Sequence, residues 1–274
     1  MSHTENPLIT ISIPHWQSKE FIIPCLRSIR KHSTAYELEV IVIDNGSQDD
    51  SLAYLRSLSW IRLIERPEES PKNWPHNVFS AWDLGLTKAS GQYYVTMHAD
   101  VFIKRDNWLE PFLREMDSGA NVVGTGSWKL EVKHPLYAFQ KRYIGGTLKQ
   151  LKRLIPGKNP KIDADAGKYP RDYCAMYDTQ FLKEHAVGFS TKGHKISGGH
   201  QVATQIWAHG GEVRIFPVRE MDKNLAHIAH GTTALTEDIN LKRKTKQNQT
   251  IKKKVNLFNE KWILDLIEDS SSDQ

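Results

Sequence analysis

Apolar and polar positions alternate along the first hundred residues in a way that predicts strands separated by helices. Runs of β-branched and aromatic residues predict strands, and the predicted strand at 38–43 contains the continuous apolar run 40–43, which is typical of a strand buried on both faces. Between these runs, apolar residues recur with helical spacing at 21–32, 52–58 and 78–89. This alternation predicts an α/β fold with a mostly parallel sheet flanked by helices.

The second half of the chain continues the pattern less regularly. Further strands are predicted at 122–128, 173–177 and 213–217, and a helix at 181–187. The last segment is first basic and then amphipathic, which predicts a helical tail. We therefore expect one domain over residues 1–238 and a C-terminal tail over 239–274.

Charge is unevenly distributed along the chain. The net charge is +5, but the segment 141–171 carries nine Lys or Arg against two Asp, and 242–254 carries seven Lys or Arg and no acid. We expect the first of these segments to be flexible. No motif that combines basic and aromatic residues accompanies them, so we predict no nucleic-acid partner. Anionic lipid headgroups would suit such segments, and so would plain solvation as charged loops.

Composition narrows the class of protein further. A hydrophobic content of 39% and a charged content of 25% are typical of a soluble globular chain. The longest apolar run is only a few residues, and the N-terminus has no apolar signal core. The chain has only two cysteines, Cys25 and Cys174, which are too few for a disulfide framework, so we predict free thiols. We expect a cytoplasmic protein.

A candidate metal site follows the predicted strand at 93–97. That strand ends at His98, Ala99 and Asp100, and ligands of open α/β sheets bind beyond the carboxyl ends of strands. On extended backbone His98 and Asp100 point the same way. An imidazole nitrogen and a carboxylate oxygen suit Mn²⁺ or a similar divalent ion. The alternative is an ordinary turn at the end of a strand.

Asp44 ends the second predicted strand in the same manner. A carboxylate there can accept a hydrogen bond from a nucleotide base or a ribose hydroxyl. The alternative is that Asp44 bonds to its own backbone, which the Asp-Asn-Gly turn beginning at Asp44 does well.

Three spaced motifs give the chain a recognisable pattern. The sequence VIDNGSQDDSLAYL at 42–55, the sequence AWDLGLTKASGQYYVTMHADV at 81–101 and the Trp-Leu pair at 108–109 together resemble a family-2 glycosyltransferase. The resemblance covers about residues 8–130. It implies the GT-A fold, a Rossmann-like sheet of nucleotide-diphospho-sugar transferases, with a donor-binding half at 1–128 and an acceptor-binding half at 129–238.

The resemblance also implies roles for particular residues. Asp100 would hold a divalent metal, Mn²⁺ or Mg²⁺, that bridges the diphosphate, with His98 in the place of the usual first Asp. Further metal ligands would come from His227 and His230, for which a structural zinc site or ordinary core or solvated histidines are the alternatives. Nucleotide-binding side chains are implied at the strand ends and on one helix: Pro14, His15, Trp16, Asp44, Asn45, Asp83, His98 and Ala99.

The residues leave three candidates for the catalytic base. In the family an acidic pair opens the helix after the acceptor region, but residues 197–207 contain no acid. His200 occupies that position, and imidazole can act as a general base near neutral pH. The alternatives are Asp178 and Asp163.

The function implied by the resemblance is metal-dependent, inverting transfer of a hexosyl or deoxyhexosyl group. The donor would be a nucleoside diphosphate sugar and the acceptor a glycan or lipid-linked glycan of bacterial-type surface polysaccharide assembly. The segment 242–267 could rest on a membrane surface or pack on its own domain.

Two other functions remain open. A non-catalytic descendant is credible because the acidic pair is missing. A nucleotidyltransferase would need a Gly- and Lys-rich loop after the first strand, where this chain has Pro14-His15-Trp16-Gln17.

Overall fold

The computed structural model describes residues 7–130, 165–190, 197–229 and 241–274. Within these ranges the strands are β1 (Ile9–His15), β2 (Leu38–Asp44), β3 (Ile61–Glu65), β4 (Tyr93–Met97), β5 (Val101–Ile103), β6 (Val122–Ser127), β7 (Cys174–Asp178), β8 (Glu212–Phe216) and β9 (Leu225–His227). The helices are α1 (Lys19–His32), α2 (Ser51–Ser57), α3 (His76–Lys88), α4 (Glu110–Met116), α5 (Thr179–Glu184), α6 (Gly198–Ala208), α7 (Val218–Asn224), α8 (Leu241–Phe258) and α9 (Lys261–Glu268), with short 3₁₀ turns at Pro71–Asn73 and Ser270–Asp273.

Seven of these strands form one sheet in the order β3-β2-β1-β4-β7-β6-β8. The pairings are parallel except those of β7, which runs antiparallel to both β4 and β6. The carboxyl ends of β1, β2, β3, β4, β6 and β8 therefore meet at one edge, called here the carboxyl edge. The predicted α/β fold with a mostly parallel sheet is confirmed.

Both faces of the sheet are covered, which explains the continuous apolar runs of its strands. In β4, Val95 packs in the core on the side of α1 and α4, whereas its neighbour Tyr94 packs on the opposite side against Trp82 of α3. All five residues of β4 are buried. Neighbouring side chains of a strand point to opposite faces. A strand buried on both sides is therefore apolar at nearly every position and does not alternate between apolar and polar residues.

A second, two-stranded sheet connects the two halves of the chain. Strand β5 pairs antiparallel with β9, so Val101 lies opposite His227. The backbone N–H of Ile228 also donates to the carbonyl of Asp100 at 3.2 Å. This pairing places a residue of the C-terminal half directly beside the end of β4.

The C-terminal helices pack on the domain. Ile263 and Leu266 of α9 are buried in the main core, and Phe258 of α8 meets the ring of Phe21 edge-on with centroids 5.8 Å apart. The predicted helical, amphipathic character of this segment is thus present, and its inner face contacts α1. In the part of the chain that the structure describes, no helix is long and apolar enough to cross a bilayer.

Candidate functional site

Three potential metal ligands converge at the carboxyl end of β4. Oδ1 of Asp100 lies 3.8 Å from Nδ1 of His98 and 3.3 Å from Nε2 of His227. One ligand atom from each residue lies within 4.8 Å of the others. Asp100 and His227 are almost buried, with side chains 8% and 9% exposed, whereas that of His98 is 34% exposed. The donor set, one carboxylate oxygen and two imidazole nitrogens, fits a divalent ion such as Mn²⁺.

The pairing of β5 with β9 explains how His227 reaches this cluster. His98 and Asp100 belong to one turn, but His227 is more than a hundred residues away and arrives only because Val101 pairs with it. Nε2 of His227 is buried and makes no hydrogen bond to any residue that the structure describes. A buried imidazole nitrogen aimed at a carboxylate is what a metal-ligating histidine would present.

An aromatic ring holds the imidazole of His227. The ring of Tyr173 lies 4.6 Å from it, with planes 15° apart. Tyr173 is 4% exposed, and its hydroxyl donates to the carbonyl of Trp128 at 3.0 Å. The stack restricts rotation of the imidazole.

The second imidazole has an aromatic neighbour of its own. The indole of Trp82 stacks on His98 with centroids 5.4 Å apart and planes 25° apart. Its Nε1 donates to the carbonyl of Ser12 at 3.2 Å, which ties the indole to β1. Sequence reasoning identified neither Trp82 nor Tyr173, because apolar and aromatic residues in predicted helices and strands give no sign of which side chain they will contact.

The loop after β2 is fixed by its own hydrogen bonds. The carboxylate of Asp44 is 1% exposed and accepts from the backbone N–H of Ser47 at 2.9 Å and from the Ser47 hydroxyl. The side-chain carbonyl of Asn45 accepts from Nη1 of Arg66 at 3.0 Å. Asp44 therefore makes the turn bonds that the sequence allowed as an alternative, and it lies at the carboxyl edge as expected.

His15 is buried beneath this edge. It is 1% exposed, and its Nε2 lies 2.9 Å from the Ser51 hydroxyl. Burial lowers the pKa of His15 to about 4, although the nearby carboxylate of Asp44 acts in the opposite direction. His15 is thus neutral near pH 7. Its neighbours Pro14 and Trp16 are half-buried at the surface of the edge.

Asp83 joins α3 to a distant loop. Its carboxylate accepts from the backbone N–H of Phe189 at 2.6 Å, from that of Ser190 at 2.9 Å and from the Ser190 hydroxyl. The sequence prediction placed Asp83 near the nucleotide; in the structure its oxygens bind Phe189 and Ser190. Ala99, between the two metal-ligand candidates, is 8% exposed.

His200 lies at the start of α6, at the carboxyl edge, because α6 leads back to the first residue of β8. Its Nε2 is 3.3 Å from Oδ2 of Asp165, and its ring stacks on Tyr169 at 4.7 Å with planes 10° apart. Hydrogen bonding to Lys168, and then to His200, lowers the pKa of Asp165. A carboxylate hydrogen-bonded to one ring nitrogen fixes the orientation of the imidazole.

Gly199 allows this close approach. A Cβ built on Gly199 would lie 2.3 Å from the carbonyl oxygen of Pro170. No side chain fits there unless the backbone moves, so the first turn of α6 can contact the segment before β7 only through glycine.

Asp178 lies apart from these groups. It pairs with Tyr93 at the beginning of β4, the opposite end of that strand from Asp100. Its side chain caps α5 by accepting from the N–H of Phe181 at 2.7 Å. The structure does not bring Asp178 together with His200 or Asp100. Asp163 and His230 lie outside the described residues.

The fold and the cluster define an α/β protein with a mostly parallel sheet and a candidate divalent-metal site at its carboxyl edge, where ligands of open α/β sheets bind. Residues 10–185, more than half of the chain, match the model of Glycosyl transferase family 2. The chain belongs to this family, and the resemblance identified from the motifs is confirmed.

Two curated relatives are also glycosyltransferases by name. The chain is 26% identical over 122 residues to an uncharacterized glycosyltransferase of Haemophilus influenzae, a match covering 44% of this chain and 36% of the relative. It is 24% identical over 209 residues to the glycosyltransferase AglE of Haloferax volcanii, covering 71% of this chain and 67% of that one. The match to the first relative therefore spans about a third of its length.

Solved structures share the fold. The mannosyltransferase PcManGT of Pyrobaculum calidifontis, in complex with GDP-Man and Mn²⁺, superposes with a TM-score of 0.54 at 16% identity, covering 98% of this chain and 76% of that chain. S. aureus TarS 1-349 in complex with UDP-GlcNAc gives 0.52 at 14% identity, covering 91% of this chain and 72% of that chain. These similarities confirm the GT-A fold.

Proposed function

We propose that this protein transfers a sugar from a nucleoside diphosphate sugar to an acceptor hydroxyl, with a divalent metal held by Asp100, His98 and His227. The observation that carries the proposal is the convergence of these three side chains at the carboxyl end of β4. Family membership supports the reaction class, and the GDP-Man and UDP-GlcNAc bound by two proteins of the same fold support a hexosyl donor.

The metal would be Mn²⁺ or Mg²⁺. When bound, it neutralises the charge that develops on the leaving diphosphate. Asp100 supplies the buried carboxylate, and the two imidazoles supply neutral donors whose rings are held by stacking. His230 could join them.

The nucleotide would bind along the ends of β1 and β2. Pro14 and Trp16 offer half-buried apolar surface there, and the turn from Asp44 to Ser47 offers fixed polar groups, including Asn45. The buried imidazole of His15 and the carboxylate of Asp83 would shape this region from beneath through the bonds described above. His98 and Ala99 would meet the diphosphate beside the metal.

The catalytic base would be His200. Asp165 fixes one ring nitrogen, Nε2, so the other, Nδ1, is the one to accept the proton of the acceptor hydroxyl. In-line attack of that hydroxyl on the anomeric carbon inverts its configuration in a single displacement. The acceptor class expected from the resemblance is a glycan or lipid-linked glycan.

The donor site can be tested by thermal unfolding with UDP, dTDP, GDP or CDP, each with and without Mn²⁺. A ligand that binds the folded state raises the Tm by mass action. We expect one nucleotide to give a Mn²⁺-dependent rise in the wild type and in Asp106→Asn, a control at an exposed acid. The rise should disappear in Asp100→Asn. No rise with any nucleotide would overturn the proposal.

One observation favours a second candidate, a protein that binds the nucleotide sugar without turnover. The described start of α6 contains no carboxylate of its own. Incubation with the nucleotide sugar that the Tm screen identifies separates the two candidates. Release of nucleoside diphosphate supports the enzyme, and tight binding without release, with or without glycan acceptors, supports the non-catalytic protein.

A further inference from the structure

Exposed apolar side chains concentrate on the two C-terminal helices. Among the described residues, five large apolar side chains are more than a third exposed. One is Trp74, and the other four lie on α8 or α9: Ile251, Val255, Leu264 and Ile267. Such a concentration on one part of a surface is typical of an interaction site rather than of scattered exposure.

On α8 these side chains form a distinct outer face. Ile251 and Val255 are one helical turn apart and are 42% and 51% exposed. Lys252, on the same face, is exposed as well. The opposite face carries Thr250 and Leu257, which contact the domain. The domain therefore covers one side of α8 and leaves the other side open.

The charge of α8 indicates what could cover that open face. The helix contains seven Lys or Arg and no acid. Lys254 is turned inward, where it pairs with Glu20, but Lys252 and Lys253 are exposed. Aliphatic side chains flanked by lysines on a helix are complementary to an anionic phospholipid surface, where the apolar groups enter the interface and the lysines meet the headgroups.

The position of α8 relates this face to the candidate site. The hydroxyl of Thr250 donates to the carbonyl of Ala229 at 3.3 Å, two residues beyond His227 of the metal cluster. A surface seated on α8 would lie beside the carboxyl edge of the sheet.

We propose that the outer face of α8, formed by Ile251, Lys252 and Val255 with the exposed Lys253 at its margin, docks on an anionic membrane. Docking presents the site to acceptors in the plane of the membrane, so the acceptor is a lipid-linked glycan. The choice of acceptor rests on the proposed transfer reaction, but the docking itself does not.

Co-sedimentation of the full chain with vesicles tests the docking. We expect binding to phosphatidylcholine vesicles that contain phosphatidylglycerol, little binding to phosphatidylcholine alone, and loss of binding at high salt. The double variant Lys252→Gln/Lys253→Gln should bind about 30-fold more weakly, since each lysine near the surface contributes a factor of about five. Ile251→Ser/Val255→Ser should also weaken binding, whereas Ile251→Leu/Val255→Leu should retain it.

The matched control is Lys88→Gln, an exposed lysine at the end of α3 on the opposite edge of the sheet. Its binding should equal that of the wild type. The proposal is overturned if the wild type ignores anionic vesicles or if the α8 variants bind as the wild type does. A dimer that the serine variants dissociate, with no vesicle binding, would assign the face to a second copy instead. If the membrane proposal fails in this way, a nucleotide-dependent rise in Tm in the same samples would still support the proposed donor site.

Discussion

The phenol ring of Tyr173 lies nearly parallel to the imidazole of His227, with centroids 4.6 Å and planes 15° apart. The hydroxyl of Tyr173 is anchored on the carbonyl of Trp128, so the phenol is held from its far end. Nε2 of His227 meanwhile lies 3.3 Å from Oδ1 of Asp100. The tyrosine thus fixes the plane of a potential metal ligand.

The first prediction concerns this stack. Tyr173→Leu removes the ring and frees the imidazole of His227 to rotate, so we expect Mn²⁺ affinity to fall about tenfold or more, as is usual when support behind a metal ligand is lost. Tyr173→Phe keeps the ring and should keep most of the affinity. Isothermal titration with Mn²⁺ measures both.

A second buried tyrosine gives the control for this experiment. Tyr177 lies in β7, four residues after Tyr173, and packs against Phe189 rather than on a histidine. Tyr177→Leu should lower stability but leave Mn²⁺ affinity unchanged. Equal affinities of Tyr173→Leu and the wild type would contradict a positioning role for Tyr173.

The second prediction follows from the burial of His15. Its pKa is about 4 in the folded chain and 6.5 when exposed, so between these values the unfolded chain binds a proton that the folded chain does not. Stability from this residue is therefore complete above pH 6.5 and is lost as the pH falls towards 4. The loss amounts to about 3 kcal/mol over this range.

Urea unfolding at several pH values from 7 to 4.5 measures this effect. His15→Gln has no group that titrates in this range, so its stability should depend less steeply on pH than that of the wild type. Comparing slopes rather than absolute stabilities removes the cost of the lost contact with Ser51. Identical slopes would show that other groups cause the acid sensitivity.

The third prediction concerns the attachment of the C-terminus. Nε of Arg27 donates to Oδ1 of Asp273 at 2.8 Å, and Nη1 donates to the carbonyl of Leu266 at 3.1 Å. Tyr54 also donates to Asp273 at 2.8 Å. Asp273→Asn weakens charge-assisted bonds to Arg27, which is largely buried, and should cost about 2 kcal/mol.

The same contact makes attachment of the C-terminus sensitive to acid. Burial raises the pKa of Asp273, but hydrogen bonds from Arg27 and Tyr54 lower it further, so the net direction is downward. Its stabilisation is complete above the ordinary pKa of an aspartate and is lost as the pH falls through the lowered value. Hydrogen exchange of α9 should become faster in Asp273→Asn and unchanged in Glu268→Gln, an exposed acid nearby. Unchanged exchange in both would contradict the prediction.

The fold could be predicted because its signals are local. The apolar run of β2 indicates burial on both faces, and helical spacing separates it from its neighbours, so a parallel sheet follows without tertiary information. Local patterns identified only two of the three candidate metal ligands, and the third was implied by the family resemblance alone. His98 and Asp100 share a turn, but His227 reaches them through the pairing of β5 with β9, which no local pattern encodes.

The position of Asp178 could not be predicted from local sequence patterns. It ends a predicted strand just as Asp44 does, which suggests the same edge of the sheet. The strand that it ends, β7, runs antiparallel, so its carboxyl end lies at the opposite edge. Periodicity identifies a strand but not its direction. Asp165, which contacts His200, was missed for a related reason: it lies in an irregular segment whose position only the folded chain defines.

The last prediction tests His200 as the base. His200→Ala should lower the rate of nucleotide release from the donor sugar by about a hundredfold or more, since general-base catalysis contributes factors of this size. Asp165→Asn should have a smaller effect, because the ring stays stacked on Tyr169 while losing its carboxylate. Both variants should keep the nucleotide-dependent Tm rise, because neither residue belongs to the metal cluster. Asp178→Asn, at the opposite edge, should keep the wild-type rate. Full activity in His200→Ala would overturn this assignment and turn attention to an acid outside the described residues, such as Asp163.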